Sequence, residues 1–129
     1  MQALLNAKTP LKIIRQCTRC NNTTKQVLHC MRTDYAESDY AVIEHGFFYN
    51  RARRSADVAL LGAATEAPIK LIVEICHRHK TTEANRPEPW IEVDAEAILH
   101  AANAFTWNDT DSLCVQCIRD YTCVCCCTN

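Results

Sequence analysis

Along the chain the clearest apolar run is Ile69-Lys-Leu-Ile-Val-Glu-Ile-Cys76, which is β-rich and nearly continuous. Such a run predicts a central strand covered on both faces. Its alternation puts Leu71, Val73 and Ile75 on one face and Ile72, Glu74 and Cys76 on the other. Upstream, residues 56–61 form a second apolar run with one acid, and Gly62 to Pro68 supplies a turn, so the two runs are expected to pair as a hairpin. The connection is longer than the commonest tight turns and does not fix the register. Trp90-Ile-Glu-Val93 reads as a further short strand, after which Asp94 caps an alanine-rich helix to about Asn103, with Ala97, Ile98 and Ala101 inward.

The first third of the chain is less regular. Pro10 with Leu11, Ile13 and Ile14 suggests an extended segment, and Lys25 to Cys30 a short strand. Asp34 followed by Glu37 resembles a capping box. With Tyr35, Tyr40, Ala41 and Ile43 it predicts a helix to about His45, stopped by Gly46, before a short strand at Phe47 to Asn50. Thr81 to Arg86 predicts one or two helical turns before Pro87, and Phe105 and Trp107 read as packing residues.

These elements sum to one α/β domain over residues 1–129, with a small mixed sheet flanked by helices. An apolar content of 48% excludes a disordered chain. Fourteen basic against fifteen acidic side chains exclude a global polycation, so charge matters locally. Arg15, Arg19 and Lys25 surround the first cysteine pair, Arg51, Arg53 and Arg54 cluster, and Arg78 and Lys80 follow the central strand. Such clusters are either phosphate contacts or simply solvated surface. No run approaches the roughly 18 apolar residues of a membrane span, and the first residues lack a signal-peptide pattern. The expectation is an intracellular protein, cytoplasmic or nuclear, whose cysteines are metal ligands or free thiols.

Ten cysteines fall into three groups, of which one is the isolated Cys30 and Cys76. Cys17/Cys20 and Cys114/Cys117 are Cys-x2-Cys pairs, within segments 11–30 and 108–120. A Cys-x2-Cys knuckle turns two sulfurs toward one centre, and two knuckles complete a tetrahedral zinc site. A shared zinc here would clasp the two ends of the domain and restrict the unfolded chain. The alternatives are a site completed by His29 or Cys30 with Cys17 and Cys20, free thiols, or a redox centre. Cys123, Cys125, Cys126 and Cys127 suit no single tetrahedral site and are expected in an unstructured end, as surface thiols, acylation sites or an auxiliary metal site.

Asp57 and Glu74 each interrupt an apolar strand, which is costly unless the acid is paired or holds a metal. On adjacent strands the two carboxylates converge into a hard-cation site suited to Mg2+ or Mn2+, able to activate water for phosphodiester hydrolysis. Glu44, near the end of the predicted first helix, is placed to support them. The plainer account pairs the acids with Arg53, Arg54 or Arg78.

The order of helix with Glu44, strand with Arg54-Ser-Ala-Asp57-Val, strand with Val73-Glu74-Ile-Cys76, strand Trp90–Val93 and helix resembles the PD-(D/E)xK nuclease superfamily. It looks most like small nuclease domains flanked by zinc knuckles, related to competence protein CoiA. The resemblance covers residues 34–103 and implies a restriction-endonuclease-like core. It implies that Asp57 and Glu74 hold the catalytic metal. On a nuclease, the Arg51, Arg53, Arg54 and Arg78 clusters are expected to contact the DNA or RNA backbone. Cys76 stands where the motif has its lysine, and a thiol cannot carry that positive charge. Lys80, His77 or His79 would have to replace it. Two other readings follow from the departure: a catalytically inactive nuclease-like zinc module that binds nucleic acid or a protein, and a thiol enzyme using Cys76.

Overall fold

The computed structural model describes residues 1–16, 28–63, 67–77, 86–87, 89–104 and 112–119. In chain order the elements are α1 (Gln2–Asn6), β1 (Leu11–Gln16), β2 (Leu28–Arg32), β3 (Tyr40–Tyr49), β4 (Ala52–Leu61), β5 (Ile69–Cys76), β6 (Trp90–Asp94), α2 (Ala95–Ala104) and β7 (Leu113–Gln116). They build a mixed α/β fold with two small mixed sheets, of order β2-β1-β7 and β3-β4-β5-β6. The expected single sheet is therefore two. No described helix is long and apolar enough to cross a membrane.

β4 and β5 pair as an antiparallel hairpin, as expected, with Leu60 opposite Leu71 and Val58 opposite Val73. Gly62 N–H closes the connection on Pro68 C=O at 2.9 Å. β6 then runs parallel to β5, with Val73 opposite Ile91. One face of this sheet supplies Val58, Leu60, Leu71, Val73, Ile91 and Val93 to the main core. The smaller sheet covers them with Leu11 and Ile13 from β1 and Leu113 and Val115 from β7. Each such side chain, fully buried, stabilises the fold by about 1.5–3 kcal/mol relative to exposure. A second cluster on the other side gathers Ala56, Ala59, Leu61, Ile72 and Trp90, so β5 is buried on both faces.

Both helices have local causes. Asp94 Oδ2 accepts the Ala97 N–H at 2.9 Å, the cap expected for α2. Ile98 is buried and Ala101 half-buried, but Ala97 is exposed and lies off the inward stripe. α1 was not legible. It ends where Lys8 adopts a left-handed φ of 55°, with Thr9 N–H on Leu4 C=O and Lys8 N–H on Leu5 C=O. Asn6 then reaches across to β3: its Oδ1 accepts the Ala41 N–H at 2.8 Å and its Nδ2 donates to the Ala41 C=O at 3.3 Å. The amide caps the start of an edge strand as a neighbouring strand would.

The helix expected from Asp34 to His45 is not formed; β3 occupies most of that span. Asp39, not Asp34, makes the local cap, accepting the Ala36 N–H at 2.7 Å within a turn. Beyond it Tyr40, Val42, Ile43, Phe47, Phe48 and Tyr49 favour a strand, and nine pairs with β4 outweigh a helical cap. Gly46 is an interior strand position rather than a helix stop. A Cβ there would stand 3.3 Å from Arg53 Nη2, so the missing side chain makes room for that guanidinium. The short helix expected at residues 81–86 falls largely outside the described residues, as do Phe105, Trp107 and the cysteine-rich tail.

Candidate functional site

The acids sit where the β4–β5 ladder stops. Its last pair is Val58 with Val73, and one step further in the same register sets Asp57 beside Glu74. Asp57 Oδ2 accepts the Ile75 N–H at 2.8 Å, so a carboxylate takes over from a ladder carbonyl. The cause is a slip in strand alternation. Val58 and Leu60 belong to the main core, whereas Ala56 joins Ala59 and Leu61 in the second cluster. Ala56 and Val58 thus face opposite sides, which a regular strand forbids. β3 slips at the same level: Ala41 packs in the main core, but both Val42 and Phe47 pack on the second cluster. Glu44, at a left-handed φ of 49°, absorbs that change. Because both strands slip together, Ile43–Val58 and His45–Ala56 keep one register.

Glu74 is 4% exposed and lies on the second face of β5, as expected. Arg86 Nε donates to its Oε1 at 2.8 Å. Burial pushes the Glu74 carboxyl above its ordinary range; Arg86 opposes the shift, and the charge and hydrogen bond of Asp57 reinforce it. The two carboxylates therefore interact directly. In the other direction Glu74 pairs in register with Glu92 on β6, which is 1% exposed. Asp57, Glu74 and Glu92 stand at one level across three strands. Glu92 was missed, although the reasoning applied to Glu74, an acid inside an apolar strand, fits Trp90-Ile-Glu-Val93 equally. Two residues before Glu92, the Trp90 ring lies under two guanidinium groups, Arg86 at 5.7 Å and Arg119 at 3.8 Å.

The other sequence candidates are spread out. Glu44 is exposed on strand β3, opposite Asp57, not at a helix end. His77 is exposed just beyond β5, and Cys76 is buried on the face of Glu74. Arg78, His79 and Lys80 lie outside the described residues. Arg51, Arg53 and Arg54 are at the far end of the β3–β4 hairpin, where Arg54 Nε donates to Tyr49 C=O at 3.0 Å. The ion-pair partner of Glu74 is Arg86, not this cluster.

Cys17 and Cys20 lie outside the described residues. Cys114 is exposed within β7 and Cys117 is buried against the main core. Burial alternates from Leu113 to Cys117, so the two thiols face opposite sides of an extended segment rather than a knuckle. β7 runs parallel to β1, and Cys117 N–H donates to Ile14 C=O at 2.9 Å, three residues before Cys17 in the sequence. Among the described residues no group of three or more His, Cys, Asp or Glu is placed to hold a metal. No protein-family model matches the chain, and no curated protein or solved structure matches it.

Proposed function

We propose that the chain is a metal-dependent nuclease that hydrolyses phosphodiester bonds in DNA or RNA. The observation that carries this reading is the junction of exposed Asp57 with buried Glu74 at the end of the β4–β5 ladder. The donor set suits a hard cation: two oxygen ligands, one reachable from solvent, and a buried carboxyl whose charge a cation would stabilise. Asp57 and Glu74 would hold Mg2+ or Mn2+, which when bound supplies an activated water and stabilises charge on phosphate. Glu44 faces Asp57 from the neighbouring strand and supports it. His77, at the exposed end of β5, is the proton carrier, a role Lys80 shares by sequence alone. Arg86 brings beside Glu74 the positive charge that Cys76 cannot. Cys17, Cys20, Cys114 and Cys117 would hold a structural zinc once residues 114–117 turn into a knuckle.

One observation favours a second reading. The Arg86–Glu74 pair already neutralises the buried acid, which suits a non-catalytic module on the same scaffold that binds nucleic acid or protein.

Incubating the protein with single- and double-stranded DNA and RNA, with Mg2+, Mn2+ or EDTA, separates the two. Metal-dependent cleavage is expected, with Asp57→Asn and Glu74→Gln each lowering the rate on the order of a hundredfold or more. Absence of cleavage by folded protein on every substrate would leave only the module. Metal analysis is expected to find about one zinc per chain; zinc retained by the Cys114→Ser/Cys117→Ser variant refutes the shared clasp.

A further inference from the structure

The tip of the β3–β4 hairpin is built unlike the rest of the molecule. Phe48 is 75% exposed, and Tyr49 beside it is 37% exposed. The two-residue turn Asn50-Arg51 has left-handed φ values of 50° and 64°. Mirror-image turns of this kind favour Asn first and glycine second. An arginine at the second position therefore carries backbone strain of the sort retained at functional sites. Arg51 and Arg53 are exposed, and Arg54 is bonded back to Tyr49 C=O, which stiffens the tip. From Gly46 to Ala56 there is no acidic residue, although acids slightly outnumber bases in the whole chain.

By strand alternation Phe48 and Arg53 share one exposed face, and Tyr49 and Arg54 fall on the other. Phe48 pairs with Arg53 and Gly46 with Ser55, all exposed and on the face of the hairpin opposite Phe47 and Ala56. Gly46 and Ser55 give the middle of the face a low floor, over which the Arg53 guanidinium rests. An aromatic platform and two cations stand beside a low, flat floor.

We propose that this face is a docking lane for single-stranded nucleic acid. Phe48 stacks on an unpaired base, and Arg51 and Arg53 hold the neighbouring phosphates. The lane stands apart from the nuclease reading, because its residues lie on the face of the sheet opposite Glu74. Stacking needs a base freed from its partner, which selects a single strand over a duplex, and arginine on phosphate supplies sequence-independent affinity.

The test is fluorescence anisotropy in EDTA, with labelled oligo(dT) and oligo(rU) of about twelve nucleotides and a duplex of equal length. The single strands are expected to bind more tightly than the duplex. Phe48→Ala is expected to weaken single-strand binding roughly tenfold or more, and Phe48→Trp to restore it. Arg53→Ala is expected to lower the salt slope by about 0.7. The dT and rU arms tell a DNA lane from an RNA lane. Binding that is indifferent to Phe48→Ala in a variant with unchanged circular dichroism overturns the proposal. So does equal affinity for the duplex, or binding to no oligonucleotide, which would leave the tip as a protein-docking element. A protein that binds through Phe48 and cleaves nothing keeps the lane and rejects the nuclease. Cleavage with a KM unmoved by Phe48→Ala does the reverse.

Discussion

Strand β5 carries an ion pair near each end, and the two acids respond in opposite ways. Near its start Lys70 donates to Asp39 at 2.5 Å; further along, Glu74 accepts from Arg86 at 2.8 Å. Asp39 and Glu74 are almost equally covered, at 5% and 4% exposure. Yet the Lys70 hydrogen bond, helped by the Ala36 N–H, holds Asp39 below its usual range, while burial drives Glu74 above its own despite Arg86. Asp39 is wrapped by its own turn, whose backbone is a donor. Glu74 emerges from the middle of a sheet, whose backbone donors are taken by the ladder, and its nearest polar neighbours include another carboxylate. Contact with a cation is not what separates the two: desolvation dominates at Glu74, with the Asp57 charge adding to it, whereas hydrogen-bond donors dominate at Asp39.

The largest expected effect comes from removing one partner at the Glu74 end. Arg86→Met should cost about 3 kcal/mol at neutral pH, because it strands a buried charge. Urea unfolding should show the cost shrinking at acid pH, once Glu74 has taken up its proton, and Glu74→Gln should recover much of it in the same background. An equal cost at both pH values would remove the distinction drawn here. Lys70→Met should be milder at neutral pH, since Lys70 is a third exposed, and its effect should vanish in acid as Asp39 protonates.

The two ends should also impose opposite pH slopes. Glu74 binds its proton more tightly folded than unfolded. Its contribution is complete below its ordinary value of 4.5 and is lost as pH rises through the higher folded value. Asp39 contributes above its ordinary value of 3.8 and loses that contribution as pH falls through the lower folded value. Stability curves of Glu74→Gln and Asp39→Asn should each flatten one limb only. Smallest of all, Glu44→Gly should stabilise by up to ~1 kcal/mol, the left-handed strain it relieves less the added chain entropy. A loss instead would mean that the Glu44 carboxylate itself holds the slipped strands together, and thermal melts decide it.

What the sequence made legible follows the regularity of its alternation. β5, β6 and α2 alternate cleanly or carry a good cap, and all three were found: β5 with the correct faces, including Glu74 opposite the main core, and α2 with Ile98 and Ala101 inward but not Ala97. β3 was misread because its alternation slips at Glu44, and a slipped strand mimics a partly amphipathic helix. The slip depends on a partner strand that slips with it, which no local window contains. Asp57 and Glu74 were legible as acids in apolar strands, and register then placed them side by side. Arg86 was not, because a cation in a polar stretch has no signature until the fold brings it to Trp90 and Glu74. The cysteine spacing suggested a knuckle, but Leu113, Val115 and Cys117 bury one edge of β7 and draw the second pair out straight.

The parallel pairing of β1 with β7 also shapes how the chain is made. Leu11 meets Leu113, about a hundred positions later, so the smaller sheet joins residues whose synthesis is separated by that length of chain. During synthesis β1 and β2 can pair, but Leu11 and Ile13 have neither β7 at their side nor the finished larger sheet above them. While the intervening residues are made, this hairpin presents an open strand edge, the kind of exposure that chaperones shield.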